Sequence, residues 1–88
     1  MLQKSYAGIV EQYLNDRTGL LMTLGFSYVG NCMCDRCNQK KYKNEAYLLK
    51  ICDTRKSFTL YRNDQLLENT LLTEFITTLQ KYEFIEII

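Results

Sequence analysis

Cys32, Cys34 and Cys37 fall within six residues and are the side chains of this chain best suited to hold a metal ion. Zinc takes four ligands in a tetrahedron, and a Cys-X2-Cys pair such as Cys34 and Cys37 supplies two of them from one tight turn, with Cys32 as a third. The fourth cysteine is Cys52, and there is no histidine to replace it. A strand over 26–30 leads into the cluster and a strand over 45–52 leads away from it. An antiparallel pair of these two would put the cluster at the Glu45 end and leave Cys52 roughly 23 Å away, at about 3.3 Å per residue. On this reading zinc has three cysteine ligands and no evident fourth. The competing reading is an ordinary hairpin tip in which Asp35, Arg36 and Asn38 are solvated and the cysteines are small, soft fillers. A redox pair is disfavoured, because that motif opens a helix after a strand in a βαβ unit, and no such unit is predicted here.

The cluster opens onto a basic segment. Residues 36–62 carry eight Lys or Arg against Glu45 and Asp53, a net of +6, whereas the rest carries three basic and eight acidic residues, a net of −5. Lys40, Lys41, Tyr42 and Lys43 interleave an aromatic ring with cations, the pattern by which a nucleic-acid surface meets phosphates and stacks a base. Lysines on a strand also discourage edge-to-edge aggregation. A net charge of +1 and a pI near 7.6 are far from a dedicated nucleic-acid binder.

Catalysis finds little support. There is no histidine, no Gly-rich phosphate loop and no nucleophile elbow, and Glu11, Glu74 and Glu83 read as solvated helix faces, so the chain is expected not to be an enzyme. The longest apolar run, Leu20 to Leu24, is broken by Thr23 and stopped by Gly25, so neither a secretory leader nor a membrane span is expected. The expected location is the cytoplasm or the interior of a virion.

Eighty-eight residues allow one small domain with a modest core. Leu2, Tyr6, Ile9, Val10, Tyr13 and Leu14 form an apolar stripe at helical spacing, Asn15–Thr18 supply a turn and cap, and Leu20–Leu24 form a second short helix stopped by Gly25 and Phe26. Helices therefore fill 2–24. A β-meander follows over 26–68, with strands at 26–30, 45–52, 57–62 and 65–68 and a two-residue hairpin turn at Asn63-Asp64. A C-terminal helix over 70–82 is capped by Asn69 or Thr70, and Phe84–Ile88 reads as a strand or a core plug. The fold class is α+β: a single domain, 1–88, with a three- to four-stranded antiparallel meander packed against N- and C-terminal helices. The run Leu24-Gly25-Phe26, Tyr28, Gly30, Cys32, Cys34 with a Tyr-containing basic strand resembles small accessory proteins of phages and mobile elements over about a third of the chain, on no motif that assigns a family.

A four-residue turn at 53–56 fixes a strand register. It sets Leu48 opposite Tyr61, Leu49 opposite Leu60 and Ile51 opposite Phe58, and the Asn63-Asp64 turn then sets Leu66 opposite Tyr61 and Leu67 opposite Leu60. Leu49, Ile51, Phe58, Leu60 and Leu67 become the inner face. The outer face carries Leu48, Tyr61 and Leu66 in a row flanked by Lys50, Thr59 and Cys52, more apolar than solvent requires. The expected function is a non-enzymatic structural or accessory protein, bound to a larger protein assembly such as a phage particle, or to further copies of itself. It would bind through Leu48, Tyr61 and Leu66 as anchors, Lys50 and Arg62 as rim charges, and the cysteine-tipped basic hairpin. The alternative is a zinc-stabilised nucleic-acid-binding regulator.

Overall fold

The computed structural model describes residues 2–33 and 38–88, so Cys34 and Cys37 lie outside the described residues. The chain is α+β and divides into two compact units, Met1–Phe26 with Thr73–Ile88, and Ser27–Leu72. In chain order the elements are β1 (Leu2–Lys4), α1 (Tyr6–Asn15), α2 (Arg17–Thr23), β2 (Ser27–Met33), β3 (Asn38–Asn44), β4 (Tyr47–Cys52), β5 (Ser57–Arg62) and β6 (Gln65–Leu71). A 3-10 turn (Leu72–Glu74), α3 (Phe75–Lys81) and β7 (Ile85–Ile87) complete it.

In the first unit, Ser5 starts α1 by accepting a hydrogen bond from the Gly8 amide at 3.2 Å. That cap corrects the expected helix start: Leu2–Lys4, in phase with the apolar stripe, instead form a strand paired in parallel with β7, Leu2 to Ile85 and Lys4 to Ile87. Asp16 then serves two helices. Its amide donates to the Gln12 carbonyl at 2.7 Å to close α1, and its carboxylate accepts from the Gly19 amide at 3.0 Å to cap α2. The end of α2 is a Schellman stop: Gly25, at φ 91°, donates to Met22 O and Phe26 donates to Leu21 O. The end of α3 repeats it with a non-glycine residue, Glu83 at φ 63° donating to Gln80 O and Phe84 to Leu79 O. The two phenylalanines delivered by these stops, Phe26 and Phe84, meet with ring centroids 5.1 Å apart. Tyr13 stacks on Phe75 at 5.3 Å, and Ile9, Leu20, Leu21, Phe26, Phe75, Leu79 and Ile85 are buried.

The second unit is a five-stranded antiparallel meander in the order β2-β3-β4-β5-β6. The expected count of three to four strands fell short because Asn38–Asn44, read as a polar connection, is the second strand of the sheet. The turn at 53–56 holds, and with it every predicted β4–β5 pair from Leu48–Tyr61 to Cys52–Ser57. Asn63 and Asp64 both adopt positive φ, 51° and 65°, as a type I′ hairpin turn demands. Beyond Tyr61–Leu66 the β5–β6 register shifts, so Leu60 pairs with Glu68 and not with Leu67 as expected. The shift is a β-bulge, in which an extra residue on one strand resets the pairing. β6 also runs on to Leu71, and the last helix begins at Phe75 and not at 70, preceded by the 3-10 turn.

Candidate binding face of the five-stranded sheet

Alternation along the strands sorts the sheet into two unlike faces. On one, Tyr42 pairs with Leu49 and Leu49 with Leu60, while Ile51 pairs with Phe58, and all five are at most 2% exposed. The ring of Tyr28, the register partner of Tyr42, lies 5.6 Å from it at the sheet edge. The other face carries two rows that cross the strands. The first runs Lys43, Leu48, Tyr61, Leu66 and the second Lys41, Lys50, Thr59, Asn69, each residue being the register partner of the next. Leu66 is 50% exposed, and Leu48, Lys50, Thr59 and Tyr61 are half-buried, so these two rows remain accessible, whereas Cys52, the next residue on this side of β4, is 1% exposed.

The electrostatics of the open face are one-sided. Neither row contains a carboxylate, and Lys41 and Lys50 stand directly opposite each other, a like-charge pair that costs a sheet stability. Lys50 places its Nζ 5.2 Å from the centroid of the Tyr61 ring, which offsets part of that cost through a cation–π contact. The side chains of Lys41 and Lys43 make no hydrogen bond or ion pair with the described residues.

The anticipated anchors Leu48, Tyr61 and Leu66 and the rim charge Lys50 are thus brought together. Arg62 is not: alternation turns it away from Tyr61, and its guanidinium lies 5.5 Å from the ring of its register partner Tyr47. The basic run divides between faces in the same way. Lys41 and Lys43 join Lys50 on the open side, whereas Tyr42 is 1% exposed, so it is unavailable to stack on a base as the interleaved pattern suggested. Lys40, opposite Ile51, shares the side of Tyr42. Lys41 and Lys43, grouped with Lys40 and Tyr42 in the sequence, are separated from both by the alternation of β3, a strand that its polar composition hides. The signal was present, since polar and aromatic residues alternate with period two over Lys41-Tyr42-Lys43.

The cysteine geometry requires the largest correction. The cluster connects β2 to β3, not β2 to β4, and β3 pairs antiparallel with β4 from Lys40–Ile51 to Asn44–Tyr47. The Glu45 turn therefore lies at the opposite end of the sheet. Cys32 pairs with Gln39, and one more step in the β3–β4 register brings Gln39 abreast of Cys52. Cys52 is then two strand spacings from Cys32, roughly 10 Å between backbones and not 23 Å. Cys52 pairs with Ser57 as expected and shares a side of β4 with Leu48 and Lys50, but it is buried. Among the described residues no group of three or more His, Cys, Asp or Glu is placed to hold a metal.

Comparison with family models, with curated proteins and with solved structures gave no match. No helix among the described residues is long and apolar enough to cross a membrane.

Proposed function

We propose that the protein is a non-enzymatic binding module that attaches to a larger protein assembly through the open face of its five-stranded sheet. One observation carries this reading: Leu48, Tyr61 and Leu66 form a continuous, accessible apolar row, and lysines are the only charges in that row and the row beside it. Half-buried aromatic and aliphatic side chains ringed by charge are the usual make-up of an interface centre, in which a few anchors supply most of the affinity. Lys50 steers and orients at the rim. The Leu48→Asp, Tyr61→Asp double variant, used as bait in the native source, is expected to lose the partner that the unmodified protein captures. Retention of that partner contradicts the proposal.

A second reading keeps zinc on the cysteine cluster, of which Cys34 and Cys37 lie outside the described residues. Zinc held by the 32–37 cluster with Cys52 as a further ligand would fasten the β2–β3 connection to the end of β4, beside a basic strand able to meet nucleic acid. It predicts about one zinc per chain in protein purified without chelator, lost in Cys52→Ser, and a melting temperature that falls when chelator is added. Metal-free protein whose melting temperature is indifferent to chelator contradicts it.

A further inference from the structure

The geometry points to an acidic amphipathic helix of another protein as the occupant of the open face. This inference rests on the open face being the binding surface and adds the chemistry of what binds there.

Charge supplies the first support. Lys41, Lys43 and Lys50 occupy neighbouring positions on adjacent strands, Lys41 directly opposite Lys50, with no carboxylate in either row to neutralise them. Cross-strand neighbours lie about 5 Å apart and alternate residues along a strand about 6.8 Å, so three lysines stem from an area that one side of a helix covers. A partner with carboxylates there removes the repulsion of the Lys41–Lys50 pair on binding, which makes the interaction selective as well as attractive.

The second support is spacing. The apolar row runs across the strands, so Leu48, Tyr61 and Leu66 repeat at about 4.8 Å. Apolar side chains at i, i+4 and i+7 of a helix repeat at about 5.4 Å per turn, so a helix laid across the strands sets one residue against each anchor over two turns. An extended peptide repeats every 6.6–6.8 Å on one face and falls out of step within the row.

Other occupants fit less well. Single-stranded nucleic acid needs exposed rings, and Tyr61 is the one aromatic residue in these rows, with Lys50 already over its ring. A second copy of this chain lacks the helix required: α1 contains one carboxylate, Glu11, and α2 and α3 contain none.

The test uses a fluorescein-labelled helical peptide of about 20 residues, long enough to hold helix in water. It carries leucines at i, i+4 and i+7 and glutamates along one flank, and is compared with the same peptide carrying glutamine for glutamate. Fluorescence anisotropy with the full chain is expected to show binding by the glutamate peptide, weakened about tenfold or more when salt rises from about 0.05 M to 0.5 M. A loss of about tenfold is expected for the glutamine peptide and for the Lys41→Gln, Lys50→Gln protein, whose substitutions are at strand surfaces. Equal affinity for the two peptides, abolished by Leu48→Asp with Tyr61→Asp, overturns the acidic partner but leaves the face as the binding surface. No binding of either peptide, or tighter binding of an oligo(dT) strand, likewise overturns the acidic helix. Undiminished glutamate-peptide binding by the double aspartate variant overturns the open face itself.

Discussion

Asp16 holds α1 and α2 together by ending one helix with its amide and starting the next with its carboxylate. Gly19 makes the second role possible, because a Cβ at that position would lie 2.1 Å from Asp16 Oδ2. Helix propensity alone says that Gly19→Ala stabilises α2 by about 1 kcal/mol. Here the added methyl displaces the capping carboxylate, whose loss costs about 0.5–2 kcal/mol. Gly19→Ala is therefore expected to give no net gain in the native background and about 1 kcal/mol of stabilisation in an Asp16→Ala background. Chemical denaturation of the four proteins of this cycle measures the coupling, and additive effects would show that Asp16 does not cap α2. Residue by residue, the sequence was informative where backbone chemistry is local: the Gly25-Phe26 stop and the Asn63-Asp64 turn were both readable. Glu83 was not, because its left-handed conformation repeats the Gly25 stop in a residue type that does not advertise it.

The decisive element is β3. It lies between β2 and β4, buries Tyr42 on one side and contributes Lys41 and Lys43 to the other. Its polar, lysine-rich sequence with no β-branched residue conceals this, since strand propensity reflects fit to a half-buried surface more than backbone preference. That one strand moves Cys32 to the end of the sheet opposite the Glu45 turn, whereas the β4–β5 register, set by a turn and strict alternation, is legible in full. The bulge that takes Leu67 out of register with Leu60 leaves no mark in the sequence. The two faces should respond differently to truncation. Tyr42→Ala is expected to cost about 3–5 kcal/mol, the range for large aromatic residues removed from a packed interior, and Leu48→Ala about 1 kcal/mol. Thermal or urea unfolding distinguishes them, and equal losses would mean that the face bearing Leu48 is packed as tightly as the other.

At the scale of the whole chain, a net charge of +1 conceals a basic middle and acidic flanks, and the structure gathers Lys41, Lys43 and Lys50 onto one side of the sheet. Both the unequal faces and the uncompensated lysines fit a protein whose sheet is completed by something else. The most direct measurement compares partner recovery from the native source by the unmodified chain and by Leu48→Asp, Tyr61→Asp. Bait loading is matched, and both proteins are shown by circular dichroism to be folded at the working temperature. Binding through the open face predicts at least a tenfold drop in recovered partner, equivalent to about 1.4 kcal/mol or more of lost affinity. Equal recovery by the two folded proteins would contradict it.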